Sequence, residues 1–335
     1  MANSARAESA HSPRFAYARI ECAADLPARD DAFVDVALLD MNAGFANVGH
    51  DAIVGIVRDA ASDLDAELAR AGKRVRVLSY AVRDALMVPD HAGGRHHLYL
   101  GTGGPGHLDP RRNTSNAGAA EIVEDPSWEA PLWALFDAIA ADGDAALYGV
   151  CHTFGLLCRW SGAAEPALRG PEKGGAMSGV GTNVLTREAL EHPWFARLAD
   201  AGTVPGIVPV LDSRYYDLLP SGSLPAGATP IAFESAYRAE GPGDALTMLE
   251  LARDADGTPR LFGVNSHPEI GGPERVAAIL AVLLERGTIT ADVHAQRSAM
   301  LPMLRDDRRE ERLRVARTVF SDLVRERVTR LVRAA

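Results

Sequence analysis

Short unbroken apolar runs alternate along the chain with stretches in which apolar residues recur at helical spacing. Residues 33–39 read Phe-Val-Asp-Val-Ala-Leu-Leu and are closed by Asp40-Met41-Asn42, which predicts a buried strand whose carboxyl end opens onto a site. Ile53, Val54, Ile56, Val57, Ala60, Leu64 and Leu68 then recur at helical spacing over residues 51–71, and Gly72 stops the helix. A second strand is expected over residues 74–80. Strand, helix and strand in that order imply a right-handed crossover and a parallel sheet. Further strands are expected at 97–100, 145–150, 204–211, 229–233, 245–251 and from residue 261, with 214–218 as strand and rim. Trp128, Leu132, Leu135, Phe136 and Ile139 mark one helix face, and another helix is expected over 274–286. The fold expected is a doubly wound, mostly parallel α/β sheet of flavodoxin-like type.

The ends differ from this pattern. Residues 1–31 are Ala-rich and mixed in charge and read as a leader. The segment 32–287 carries the alternating pattern and reads as one domain. Residues 288–335 form a tail in which Leu313, Ala316, Val319, Phe320, Leu323, Val324, Val328, Leu331 and Val332 keep helical spacing, with ten Arg against six acids from Arg305 onward. Two readings of that amphipathic helix stand side by side: a homodimer or partner surface, or a helix folded back on its own domain. The stretches 107–124 and 162–182 show little periodicity and read as loop and surface excursion.

Two glycine-containing stretches carry the candidate chemistry. Gly101-Thr102-Gly103-Gly104-Pro105-Gly106 matches the dinucleotide spacing G-x-G-x-x-G, but Pro105 and the turn that follows deny it the helix a pyrophosphate needs. What these glycines offer is backbone N–H groups that a ligand can approach closely. Tyr148-Gly149-Val150-Cys151 ends an apolar run at a cysteine, and residues able to form a helix follow. A thiol at a sharp strand-to-helix turn is held exposed, and the helix N-terminus favours its thiolate. Far downstream, His267-Pro268-Glu269 places an imidazole and a carboxylate two apart on an extended segment, so both point the same way. The bland alternative for Cys151 is a buried core cysteine.

Composition narrows the class further. A net charge of -10 argues against a general nucleic-acid binder, and three sparse cysteines, Cys22, Cys151 and Cys158, argue for a reducing cytoplasm. No run approaches the ~18 apolar residues of a membrane span. His91, His96 and His97 lack a carboxylate or thiol at useful spacing, so no metal and no other cofactor is expected.

With these pieces in view, residues 33 to 287 resemble the class I glutamine amidotransferase-like superfamily. Gly103-Gly104-Pro105-Gly106 resembles its oxyanion-side loop, Gly149-Val150-Cys151 its nucleophile turn, and Gly263-Val264 with His267-Pro268-Glu269 its terminal G-V-x-x-H-P-E. The resemblance implies a Cys151–His267–Glu269 triad forming a thioester with a small amide or acyl substrate. The backbone N–H groups near Gly104 and His152 would stabilise the oxyanion, and Gly103, Arg214, Tyr216 and Asp217 would line the substrate pocket. It also implies a separate acceptor or synthase protein for any ammonia released.

The sequence departs from the family's C-x-G-x-Q at Thr153 and Gly155, and from its R-Y-H-S-L at Tyr216-Asp217. The glutamine pocket is therefore expected to be rebuilt, and the β-branched Thr153 to need unusual local dihedrals. Homoserine acyltransferases of the transsuccinylase type share Tyr-Gly-Val-Cys, a lysine near Lys173 and Ser213-Arg214-Tyr215. PfpI-like proteases share a histidine directly after the cysteine. A non-catalytic binding module is the remaining alternative.

Overall fold

The computed structural model describes residues 13–45, 47–113, 122–173, 176–202, 204–236 and 241–270, together with 277, 280–281, 284–285, 291–298 and 307–334. Its strands are β1 (Phe15–Ile20), β2 (Phe33–Asp40), β3 (Arg74–Ala81), β4 (Leu98–Gly101), β5 (Ala146–Val150), β6 (Ala164–Leu168), β7 (Met177–Leu185), β8 (Ile207–Arg214), β9 (Tyr216–Pro220), β10 (Thr229–Ser235), β11 (Pro242–Arg253) and β12 (Pro259–Val264). Its helices are α1 (Val48–Asp63), α2 (Asp65–Ala71), α3 (Glu129–Ala141), α4 (His152–Ser161), α5 (Arg187–Leu190), α6 (Ala291–Ser298) and α7 (Asp307–Ala334).

Ten strands form one sheet in the order β1-β3-β2-β4-β5-β12-β11-β10-β7-β8, and β6 pairs with β9 separately. The block from β1 to β12 is parallel, and the remaining strands add to it antiparallel. Strands β2, β4 and β5 are buried along nearly their whole length, so they read as apolar runs and not as an alternation. Strand β8 ends the order yet returns to the site, because the Leu211 carbonyl accepts the His267 N–H at 2.7 Å.

Three expectations need correction. Residues 15–20, placed in the leader, are instead the parallel edge strand beside β3, with Phe15 and Tyr17 packed partly on the core. Alanines at 16 and 18 hid the alternation. The stretch 162–182 supplies β6 and most of β7. Gly179 and Gly181 carry no side chain that could have marked a buried face. The single helix expected over 51–71 is two, α1 and α2, divided at Leu64. The helix expected over 274–286 lies largely outside the described residues.

The tail folds back on its own domain. Val319, Phe320, Leu323, Val324, Val328 and Val332 of α7 are buried in the main core cluster, and the helix packs against α1, α2 and β8. Burial of each such side chain contributes about 1.5–3 kcal/mol before the cost of ordering it. Beneath the helix, Arg327 donates to the Tyr148 hydroxyl at 3.0 Å and the Pro259 carbonyl at 2.6 Å, and pairs with Asp254 at 2.7 Å. Of the two readings of this amphipathic helix, the apolar residues named above follow the one in which it folds back on its own domain. Leu323→Ala should destabilise the protein by about 2–5 kcal/mol, with a urea midpoint independent of protein concentration. An unchanged midpoint, or one that moves with concentration, would assign this face to another partner.

Candidate active site

The candidate residues gather at the carboxyl ends of β2, β4, β5 and β12, where open parallel sheets form ligand crevices. Cys151 follows β5 with φ 49° and ψ −100°, a positive φ that few side chains adopt. Its N–H is held by the Val264 carbonyl at 2.7 Å. The turn is this tight because α4 sits directly on glycines of three strands. A Cβ on Gly149 would lie 3.2 Å from the Phe154 nitrogen, one on Gly263 would lie 2.5 Å from the Phe154 ring, and one on Gly101 2.5 Å from Thr153 Oγ1.

Thr153 thereby finds its space without unusual dihedrals, contrary to expectation. It is the second residue of α4, its methyl and hydroxyl fill the notch left by Gly101, and its hydroxyl donates to the Thr102 carbonyl at 2.8 Å.

His267 and Glu269 reach the thiol from the segment after β12. His267 Nδ1 lies 2.8 Å from Glu269 Oε1, and the ring stands near Cys151, whose sulfur also faces the Ser213 carbonyl at 3.9 Å. Burial alone would lower the His267 pKa, but the Glu269 carboxylate and the Cys151 sulfur outweigh it and raise it well above its ordinary 6.5. Glu269 is fully buried at the N-terminus of α1, where a Cβ on Gly49 would stand 2.6 Å from Oε1. Asn47 caps that helix through the Gly49 N–H at 2.6 Å, and is itself held by Asn42, which bonds Asp40 at the end of β2. The positive end of α1 therefore faces the carboxylate that orients His267.

Gly103 lies over this pair. A Cβ there would come within 3.0 Å of the His267 ring and 3.8 Å of the Cys151 sulfur. Gly104 is equally constrained, since any side chain would strike the Met41 carbonyl. No helix begins in the loop, which runs instead to a 3-10 turn at Pro110–Arg112. His152 opens α4, so its N–H has no partner within the helix. Its ring is buried against the Gly104 backbone, and burial, reinforced by Arg83 and Arg159, drives its pKa well below 6.5. The imidazole that flanks Gly103 together with the Cys151 sulfur is that of His267.

Two expected substrate residues are engaged elsewhere. Asp217 accepts from Arg169 at 2.6 Å, Lys173 at 3.1 Å and Arg214 at 3.2 Å. Burial would raise the Asp217 pKa, but Arg169 and the other two cations lower it. Arg214 is buried against Asp212, Asp217 and Glu234. These ion pairs join β8 and β9 to Arg169, Lys173 and Glu234. Tyr216 meets the His107 ring edge-on at 4.8 Å. The notch at Gly155 is filled by Leu108, whose Cδ2 would lie 2.6 Å from an added Cβ. His91 bonds Tyr99 and Asp142, and His96 bonds Tyr80. Among the described residues no group of three His, Cys, Asp or Glu could hold a metal ion.

The fold and site thus define an α/β protein with a cysteine at a positive-φ strand-to-helix turn, facing a histidine–glutamate pair. Among solved structures the chain is similar to a glutamine amidotransferase from Thermotoga maritima, with 14% identity, 89% of this chain and 98% of that one covered, and a TM-score of 0.48. It is also similar to the protein SMU.1228c, with 17% identity, 88% and 98% covered, and a TM-score of 0.47. No protein-family model and no curated protein sequence matches the chain.

A raised histidine pKa means that the folded chain holds the proton more tightly than the unfolded one. This pair therefore stabilises the fold fully below about pH 6.5 and loses that contribution as pH rises through the folded value. Glu269→Gln removes the carboxylate charge, so the His267 titration midpoint, followed by NMR of the ring, should move downward. A midpoint unchanged by the substitution would show that Glu269 is not its electrostatic partner.

Proposed function

We propose that this protein is a cysteine-dependent amidotransferase-like enzyme that acts on a small amide or related acyl group through a thioester on Cys151. The observation that carries this reading is the positive-φ Cys151 at the head of α4, with the His267 ring, paired to Glu269 at 2.8 Å, flanking Gly103 together with the Cys151 sulfur. The Cys151 thiolate attacks the substrate carbonyl carbon, and the C–S bond forms as the carbonyl electrons move onto oxygen. N–H groups of Gly104 and His152 receive that oxyanion. The His267 imidazolium gives its proton to the leaving nitrogen as the C–N bond breaks. Neutral His267 then takes a proton from water or another acceptor, which attacks the thioester and releases Cys151. The amine or ammonia released reaches water or a separate acceptor protein.

Free glutamine is a poor fit for this pocket. Gly155 offers no amide, Leu108 fills the space beside it, and Asp217 is already satisfied by three cations. Each lost ligand contact costs about 1–3 kcal/mol, so two lower specificity by roughly 10²–10⁴. A small amide or acyl donor other than glutamine is the substrate class proposed, in a cytoplasmic setting that keeps the three free cysteines reduced.

Iodoacetamide near neutral pH should label Cys151 far faster than exposed Cys22, and Cys158 least of all, because burial pushes that thiol upward. Equal slow labelling at Cys151 and Cys22 would favour a non-catalytic binding module. In a screen of amides and acyl donors, Cys151→Ala should abolish all turnover, and His267→Ala should be nearly as damaging. Ammonia release from glutamine at a rate ordinary for a glutaminase, lost in Cys151→Ala, would show that the pocket has been misassigned.

A further inference from the structure

The loop Gly103-Gly104-Pro105-Gly106 has three glycines and cannot hold its own conformation through side chains. Its carbonyl groups are held from outside. The Thr102 hydroxyl donates to the Gly103 carbonyl at 2.8 Å and accepts the Met41 N–H at 2.9 Å. Arg83, just after β3 and 2% exposed, sends Nη1 to the Pro105 carbonyl at 2.7 Å and to the Met41 carbonyl at 2.9 Å. Its other two nitrogens fork onto Glu124 at 2.7 Å each. Glu124 in turn receives Asn113 and the Trp128 indole N–H.

A planar trans peptide points its carbonyl and the following N–H in opposite directions. With the Gly103 carbonyl drawn to Thr102, the Gly104 N–H is turned to the other side of the loop. Gly103 itself lies on the thiol. The buried guanidinium of Arg83, together with the Thr102 hydroxyl, ties this loop to the neighbouring loop after β2. We propose that Arg83 is a positioning residue that holds the glycine loop in the orientation where its N–H receives the oxyanion on the Cys151 adduct. The proposal rests on the thioester reading above. Arg83 touches no reacting atom in it and acts through Gly103 and Gly104.

The test compares two reactions of the same thiol in the full-length protein. With p-nitrophenyl acetate, the Cys151 thiolate attacks the carbonyl carbon, the C–S bond forms, the ester C–O bond breaks and nitrophenolate leaves, so a tetrahedral oxyanion must be stabilised. With iodoacetamide, sulfur displaces iodide at a saturated carbon and no oxyanion forms. Site-resolved mass spectrometry reports both adducts on Cys151. Arg83→Met should slow acetylation by about tenfold to a hundredfold while alkylation stays within about twofold. Arg83→Lys should fall between, because an ammonium keeps a carbonyl contact but not the fork.

Equal loss in both reactions would mark Arg83 as merely structural, and unchanged acetylation would also overturn the proposal. Should circular dichroism show Arg83→Met unfolded, Glu124→Gln keeps the guanidinium and loosens only its anchor. Slower acetylation with normal alkylation is expected there, and no separation between the two would again overturn the proposal. A native Cys151 that reacts with neither reagent faster than Cys22 would sink the thioester reading itself, and this proposal with it.

Discussion

The backbone of Cys151 is the constraint on which the site depends. A non-glycine residue at positive φ costs of order 1–3 kcal/mol and persists only where its surroundings over-determine it. Here the Val264 carbonyl holds the Cys151 N–H, and the Gly155 N–H bonds the Cys151 carbonyl at 3.0 Å. The helix can press this close because β4, β5 and β12 each end near a glycine. Thr153 fills the space so created. The strand ends, the helix and the thiol are one packing arrangement, and a side chain at any of the three glycines would push α4 away from the sheet.

Electrostatics then separates two buried histidines that differ little in exposure. His152 has cationic neighbours, Arg83 and Arg159, and is driven toward the neutral form. His267 lies between a carboxylate and a sulfur and is driven toward the charged form. A ring that holds its proton beside the Cys151 sulfur is placed to deliver it. The sequence places these residues 115 positions apart (267 less 152), and only folding gives them opposite neighbours.

What could be read from the chain was what repeats locally. The parallel strands announced themselves as apolar runs, and Gly149-Val150-Cys151 and His267-Pro268-Glu269 carried their geometry in adjacent residues. Edge strand β1 was missed because alanines at 16 and 18 mark the face that it turns to the second core cluster only weakly. Strand β7 was missed because its glycines bear no pattern. Arg83 and Glu124 lie 41 residues apart and look like ordinary surface charges until the fold buries them. A lone carboxylate in sequence likewise carries no record of Arg169, Lys173 and Arg214 closing around Asp217.

The C-terminal helix extends the same logic to the back of the sheet. Arg327 bonds the hydroxyl of Tyr148, three residues before Cys151, while that hydroxyl donates to the Pro259 carbonyl at the start of β12. One buried guanidinium therefore bridges the two strands that carry Cys151 and lead to His267. A buried charge is tolerated only when it is paired and hydrogen-bonded, and Asp254 supplies the pairing. The register of β5 beside β12 thus has a second fastening, remote from solvent and independent of the ladder itself. On this view the tail is part of the scaffold that sets the distance from thiol to imidazole, and its apolar face and its arginine act in one direction.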